Sequence, residues 1–439
     1  MLLRAGNMVW KTLFHLRGYL KSSLWLVPFI AIPIELAATR ILHRLDSWLG
    51  WTLLDLGVSG AQGMLNAIIT ATLSFVVFTF GSLLVALQIA SGQMTPRIIA
   101  TILVRDNVVR CTTGLFIFTL LFAISALNRI QATAFQLVEF LAACLGVLCF
   151  AAFLFLIDYA SRLLRPISIL GRVGEAGLAV IRNVYPHASL DTGEATRLVK
   201  ELGPPGRIVQ HLGKSEIILA VNLKDLMALA ENSRGTIELV PQVGDFVATS
   251  ELLFRLYDGA TSLDASELQS TLAFGPERTL EQDPTFAFRI VIDIALKALS
   301  PAINDPTTAV IAIDQLARLL RSAGNRNLHT DERLGATGEL RVICRTPNWE
   351  DFVHLALTEI RHCGAQNMQI ARRLRAMVEN LIETLAKHRQ PTLQEQLTLL
   401  DREVDRWFVY AEDRALALVG DTQGLGGASG EKHVNSHPV

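Results

Sequence analysis

The stretch Ala67–Ala90, which reads AIITATLSFVVFTFGSLLVALQIA, contains no charged residue. It is longer than the roughly 20 apolar residues that an α-helix needs to cross the hydrocarbon core of a bilayer. Its polar members are small hydroxyl residues and one glutamine, which a membrane helix tolerates when they face another helix or a water-filled path. The stretch therefore predicts a transmembrane helix.

Three further apolar runs accompany this stretch in the first part of the chain. Phe135–Ile157 is long enough to cross a bilayer, whereas Leu24–Ala38 and Thr113–Leu127 are short and need residues from their flanks. The whole chain is 51% hydrophobic and only 18% charged, which is unusual for a soluble protein of this length. We therefore predict four transmembrane helices, which make the lipid bilayer a binding partner of this protein.

The distribution of basic residues predicts the orientation of these helices. Ten arginines and lysines flank one side: Arg4, Lys11, Arg17, Lys21, Arg97, Arg105, Arg110, Arg162, Arg165 and Arg172. The other side carries Arg40, Arg44 and Arg129. The positive-inside rule then puts both termini in the cytoplasm. Residues 1–38 also resemble a signal peptide, and its removal would leave three spans with the C-terminal half still inside.

Composition changes divide the chain into six segments. We predict a cytoplasmic arm (1–22), a four-helix transmembrane domain (23–160), linker helices (161–205), a small β module (206–258), a mainly helical cytosolic domain (259–418) and a disordered tail (419–439). The fold class is thus a membrane α-helical half followed by a cytosolic α+β domain. Asp264 and Glu267 predict the start of a helix that ends near Gly275. Arg372, Arg373 and Arg375 are interpreted as a solvated helix face.

A helix with an unusual charge pattern is predicted in the cytosolic half. Phe286–Leu299 is apolar except for Arg289, Asp293 and Lys297, which follow one another at intervals of four residues. Such residues form one line along a helix, and the line must be paired, hydrated or placed against a partner.

The segment after this helix, Ser300–Pro306, predicts a break between two helices. Asp283, Ser300 and Asp305 each precede a proline, which is the pattern of an N-cap followed by the first helical residue. One interpretation is that these residues are caps only. The other makes Ser300, Asn304, Asp305 and Pro306 part of a contact with a ligand, an ion or another subunit.

The run Phe288–Leu299 with the following Ser300–Thr308 resembles the signature of the bacterial domain-of-unknown-function family 2254, a family of predicted multipass membrane proteins. The segment after the second membrane run is similar to a second motif of that family, with Ser91, Gln93, Pro96 and Arg97 as its polar members. The resemblance covers nearly the whole chain except about the last twenty residues. It implies membership, a membrane fold and a place in the inner membrane of a bacterium, and it implies no reaction.

Polar residues inside the membrane runs are the second group of candidates. Thr70, Ser74, Gly81 and Gln88 fall on one face of the second predicted span. Such a face indicates either close helix packing or the wall of a permeation path in an oligomer. Glu35, Glu139 and Asp158 lie near the predicted membrane interfaces and are candidates because acids are costly in lipid.

The sequence does not indicate an enzyme. Gly213-Lys214-Ser215 lacks the preceding glycine of a phosphate-binding loop, and neither an H-E-x-x-H nor a G-x-S-x-G motif occurs. The five cysteines form no C-x-x-C pair, so we expect no metal and no cofactor. A net charge of −1 argues against nucleic acid as a partner.

Two functional hypotheses follow. The first is a homo-oligomer of ion-channel or transport type whose cytosolic domain serves assembly or regulation, with an unknown ion or small molecule as its ligand. The second is a non-conducting membrane sensor or scaffold whose cytosolic domain binds a ligand or a partner protein.

Overall fold

The structure is a computed structural model that describes residues 10, 12–14, 16, 20, 26–49, 57–93, 106–130, 136–163, 165–189, 202–328, 331–336 and 338–426. The chain divides into two compact units. One, the helical unit, comprises Leu16–Ile169, and the other, the C-terminal unit, comprises Met1–His15 together with Leu170–Val439.

The helical unit contains α1 (Leu26–Leu49), α2 (Val58–Gln93), α3 (Asn107–Leu127) and α4 (Gln136–Leu163). By length and composition, three helical segments among the described residues can cross a membrane: Val58–Val85, Asn107–Leu127 and Leu137–Leu163. The described part of the first predicted span, residues 26–38, belongs to α1, in which Glu35, Arg40 and Arg44 interrupt the apolar residues. The prediction of four spans is therefore supported for three of them by this criterion.

The helical unit is held together by small and aromatic side chains. Ala61 and Leu65 of α2 are fully buried and pack with Phe122 and Ala123 of α3. Further along, Phe75 stacks on Phe153 with ring centroids 4.5 Å apart. Small residues let helix backbones approach closely, and the rings fill the space that remains.

The C-terminal unit begins with most of α5 (Pro166–Val184) and contains two sheets. Its strands are β1 (Arg207–Gln210), β2 (Glu216–Val221), β3 (Gly235–Leu239), β4 (Phe246–Val247), β5 (Leu252–Asp258), β6 (Leu272–Gly275), β7 (Glu332–Leu334) and β8 (Leu340–Cys344). The five-stranded sheet has the order β1-β5-β3-β8-β7 and the three-stranded sheet has the order β4-β2-β6. Only the β3–β8 pair is parallel among these pairings.

Both sheets use strands from outside the predicted β module. The predicted β module (206–258) contains five strands, β1 to β5, and the helix α6 (Leu223–Ser233) lies between β2 and β3. However, β6 pairs with β2, and β8 pairs with β3. The helix predicted from Asp264 to Gly275 ends early: α7 covers Ala265–Ser270, and the next residues form β6. Leu272 and Ala273 are fully buried there, because they add to the edge of the small sheet.

The remaining helices form the other layer of the C-terminal unit. They are α8 (Pro284–Ala298), α9 (Pro306–Gly324), α10 (Trp349–Gly364), α11 (Met368–Thr384), α12 (Gln390–Trp407) and α13 (Ala411–Ala417). Phe288, Trp349 and Phe352 are fully buried among them. The indole N–H of Trp349 donates to the Arg389 carbonyl at 2.9 Å, so this large side chain is both buried and hydrogen-bonded.

The N-terminal arm contributes to the C-terminal unit. The described residues of the arm up to Phe14 are helical. Trp10 and Phe14 pack on Leu219, Ala220 and Ala273 of the three-stranded sheet. The arm therefore covers an apolar face that this sheet would otherwise expose.

The arginines of α11 differ from their predicted solvated face. Arg372 is 0% exposed and Arg375 is 6% exposed. Arg375 pairs with Asp401 of α12, and Arg373 pairs with Asp314 of α9 at 2.5 Å. The interpretation of this row as a solvated face is wrong, because each guanidinium finds carboxylate or carbonyl oxygens on a neighbouring segment.

Residues 419–426, assigned above to a disordered tail, lie against these arginines. Arg372 donates to the carbonyls of Val419 and Gly426, at 3.0 and 3.2 Å. The Asp421 carboxylate accepts the N–H groups of Gln423, Gly424 and Gly426. We call residues 419–426 the latch; residues 427–439 lie outside the described residues.

Candidate functional site

The charged line on α8 is a partly solvated ion-pair cluster. Arg289 lies 2.5 Å from Asp293 on the same helix and 2.5 Å from Glu359 of α10. The side chains of Arg289, Asp293 and Glu359 are 34%, 23% and 46% exposed. The bond to Glu359 and the neighbouring Asp293 raise the pKa of Arg289, although burial opposes the shift. Lys297, the third member, is half-buried and makes no ion pair within the described part of the chain.

Glu359 is the member of this cluster that sequence reasoning missed. It lies 70 residues from Arg289 in the chain, on another helix. No local periodicity links the two positions, so only the packing of α8 on α10 brings them together. The cluster can hold two helices in register, and its exposure leaves it open to solvent.

The break between α8 and α9 is built from caps. Asp283 accepts the N–H of Phe286, and Asp305 accepts the N–H of Thr308, both at 3.1 Å. Both predicted caps, each followed by a proline in the first turn, therefore occur in the structure. Ser300, the third predicted cap, caps no helix: its hydroxyl donates back to the Lys297 carbonyl at 2.7 Å. Pro301 begins a short turn.

Asn304, in the break between α8 and α9, has a left-handed backbone conformation. Its φ of 48° lies in the left-handed region, which asparagine tolerates better than most residues. Its N–H donates to the Ser300 carbonyl at 2.8 Å, which closes the turn. Ser300, Asn304, Asp305 and Pro306 thus each have a local structural task, and Asn304 also presents an exposed side chain.

The polar residues of α2 form an exposed stripe on the helical unit. Thr70, Ser74, Gly81 and Gln88 are all exposed, and Gly63 and Asn66 extend the same line toward the start of the helix. We call these six residues the α2 stripe. The opposite face of α2 carries Ala61, Leu65, Thr72 and Thr79, which are buried against the rest of the unit. Because successive residues are about 100° apart on a helix, the two faces differ by about half a turn.

The exposed surfaces of the neighbouring helices have a different composition. The large exposed side chains of α4 include Val147, Leu148 and Phe150, and those of α1 include Phe29 and Ile30. Apolar surfaces of this kind are what lipid covers. The same face of α2 also carries Val77 and Leu84, each 65% exposed. The α2 stripe therefore differs from the core of its own unit, and its polar groups alternate with apolar side chains.

The motif after α2 falls at the limit of the described residues. Ser91 and Gln93 belong to the last turn of α2, while Pro96 and Arg97 lie outside the described residues.

The three membrane acids have different surroundings. Glu35 is 3% exposed and accepts the Thr39 hydroxyl at 2.6 Å. Glu139 is 1% exposed. Asp158 is exposed and pairs with Arg162 at 2.9 Å, one turn later. A further buried acid, Asp106, caps α3 and accepts the Tyr159 hydroxyl at 2.6 Å. Of the residues that the structure describes, no group of three His, Cys, Asp or Glu could hold a metal ion.

Comparison with known proteins identifies relatives without a described activity. The family model described as "Predicted membrane protein (DUF2254)" matches residues 21–380. The chain is 27% identical over 422 residues to the uncharacterized proteins Mb1321c of Mycobacterium bovis and Rv1290c of Mycobacterium tuberculosis. The alignment covers 91% of this chain and 80% of each relative. No solved structure shows significant similarity to the chain.

Proposed function

Because the chain belongs to the DUF2254 family of predicted membrane proteins, we propose that it is a homo-oligomeric channel or transport protein in which the α2 stripe faces the other subunits or a path between them. In this proposal the protein catalyses no reaction, and its C-terminal unit serves assembly or regulation. The position of the stripe, on the side of α2 that its own unit leaves uncovered, is the observation that carries it.

The physical argument concerns the amide and hydroxyl groups of the stripe. Asn66 and Gln88 each carry an amide that loses its hydrogen bonds to water when lipid surrounds it. Ser74 satisfies its own hydroxyl by donating to the Thr70 carbonyl at 2.8 Å, but an amide has four hydrogen-bonding positions to fill. Contact with a second copy, or with water, fills them at lower cost than contact with lipid. Gly63 and Gly81 have open space where a side chain would lie, so another helix could approach closely.

A parity argument supports an even number of membrane crossings. Trp10 and Phe14 pack on the three-stranded sheet, which supports an arrangement with the arm and the C-terminal unit on one side of the membrane. That arrangement requires an even number of crossings, whereas three helices satisfy the length and composition criterion. We therefore propose that α1 is the fourth crossing. From the basic residues named above we infer that both termini lie in the cytoplasm of a bacterium.

A pair of cysteine variants tests the stripe. Ser74→Cys and Val147→Cys would be made in a background in which the exposed Cys111, Cys144 and Cys363 are replaced by serine. Val147 is the matched control, because it is 71% exposed on the apolar face of α4. We expect Ser74→Cys to form disulfide-linked dimers in membranes and to react with a water-soluble thiol reagent, and Val147→Cys to do neither. Equal behaviour of the two variants would place the stripe against lipid and refute the proposal.

Flux measurements then separate the two functional hypotheses. Purified protein in liposomes would be assayed with potassium, sodium, chloride and proton gradients. We expect flux that Ser74→Leu reduces and Val147→Ala leaves unchanged. Crosslinking of Ser74→Cys without flux of any of these ions would refute conduction and favour the non-conducting sensor or scaffold.

A further inference from the structure

The C-terminal unit contains a cavity of about 610 Å³ whose lining includes none of the candidate site residues predicted from the sequence. Its wall joins the end of α5, the end of β2, the first turn of α6, the residues before α8, and the segment that follows β8. The volume is in the range of about 300–1,000 Å³ that is typical of small-molecule sites.

Three cationic side chains converge on this cavity from distant parts of the sequence. Lys224 comes from the first turn of α6, Arg333 from β7, and Arg345 from the residue after β8. Among the residues that the structure describes, none of the three makes an ion pair. By contrast, Arg289 and Arg373 both have carboxylate partners.

The carboxylates around the cavity do not balance these cations. Glu281 is the one carboxylate in the described lining. Asp225 lies close by but accepts the amide of Asn222 at 2.6 Å, and Asp331 accepts both the N–H and the hydroxyl of Thr346. Asp283 is 2% exposed and caps α8. Three cations therefore face one uncommitted carboxylate, with Arg333 half-buried and Lys224 and Arg345 exposed at the rim. The lining thus carries a net positive charge, which attracts anions.

The remaining wall is apolar. Val221, Met227 and Val243 contribute aliphatic surface, and Pro284 and Pro347 contribute ring faces. An inorganic ion would leave this surface in contact with water, whereas an organic ligand would cover it.

We propose that this cavity is a binding site for a small organic polyanion, one that carries at least two negative charges of phosphate type together with an apolar or aromatic part. Arg333, Arg345 and Lys224 hold the charged end, and the walls of Met227, Val243 and Pro347 receive the rest. The site is separate from the α2 stripe, and its assignment does not depend on conduction.

The test uses full-length protein in detergent with ATP as the probe. Pyrophosphate represents the charged part of ATP, and adenosine represents its uncharged part. Binding would be measured by isothermal titration and by the rise in Tm with ligand concentration. We expect ATP to bind more tightly than pyrophosphate, and adenosine to bind most weakly. No Tm shift with either ATP or pyrophosphate at millimolar concentration would overturn the proposal, and so would adenosine binding as tightly as ATP.

Four variants make the assignment specific. Arg333→Gln and Arg345→Gln should each weaken ATP binding by about tenfold or more, because each removes a charge-assisted hydrogen bond. Arg402→Gln is the matched control, since Arg402 is exposed on α12 and does not line the cavity. Glu281→Gln should tighten ATP binding, a gain that loss of structure would not produce. Equal weakening by Arg345→Gln and Arg402→Gln, or weakening by Glu281→Gln, would contradict the site.

Discussion

Replacing Arg372 with methionine should release the latch without unfolding the rest of the C-terminal unit. Arg372 is 0% exposed on α11 and donates to the carbonyls of Val419 and Gly426. Methionine keeps most of the aliphatic volume of arginine and removes both bonds.

The size of the effect follows from these two contacts. A hydrogen bond from a charged donor contributes about 1.5–3 kcal/mol, so two contribute about 3–6 kcal/mol. Removing the buried guanidinium also removes its desolvation cost, which offsets part of the loss. We therefore expect the free energy of latch opening to fall by about 2–4 kcal/mol.

Hydrogen exchange measures this quantity directly. The amides of Gln423, Gly424 and Gly426 are hydrogen-bonded to the Asp421 carboxylate, so they are protected while the latch is closed. A loss of 2–4 kcal/mol should accelerate their exchange by about 30- to 1,000-fold. Arg402→Met, an exposed substitution on α12, should leave exchange unchanged.

Two results would refute this reasoning. Unchanged exchange at residues 421–426 in Arg372→Met would show that the two carbonyl bonds do not hold the latch. Equal acceleration throughout α11 would show that Arg372 supports the whole unit instead.

Acidification gives an independent check of the latch. Burial raises the pKa of Asp421, whereas the N–H groups of Gly426, Gly424 and Gln423 lower it, and the net effect is a pKa lowered from the ordinary value of 3.8. The stabilisation is therefore present above pH 3.8 and is lost as the pH falls through the lowered pKa of the folded state.

Asp293→Ala should reduce the free energy of unfolding by only about 0.5–1 kcal/mol, because its pair with Arg289 is partly solvated and Arg289 keeps Glu359. Thermal unfolding in detergent measures this, and a loss above about 2 kcal/mol would mean that another molecule buries the cluster. Asp283→Asn should stabilise the protein at pH 7 whereas Asp283→Ala should not, since burial raises the pKa of Asp283 above 3.8 and only asparagine keeps the cap on Phe286. A raised pKa makes the charged form costly at neutral pH, so the advantage of Asp283→Asn should shrink as the pH falls through the raised pKa toward 3.8; an advantage that grows on acidification would contradict this sign.

The sequence by itself determined the features that depend on neighbouring residues. Apolar runs long enough to cross the hydrocarbon core of a bilayer predicted the α2 and α4 helices, because a membrane helix needs only local hydrophobicity. A β-rich composition predicted the β module that contains β1 to β5, and Asp-Pro pairs predicted the starts of α8 and α9. In each case the signal and the structure lie within the same few residues.

Only the tertiary structure decided which distant groups meet. A row of arginines on α11 has the same local pattern whether it faces water or Asp314 and Asp401, so its burial could not be predicted. Leu272–Gly275 becomes a strand because β2 offers it an edge, and Glu359 joins Arg289 because α10 packs on α8. The polar face of α2 was visible in the sequence, but its direction away from its own unit was not. Side-chain periodicity defines the faces of a helix, while long-range packing determines what each face contacts.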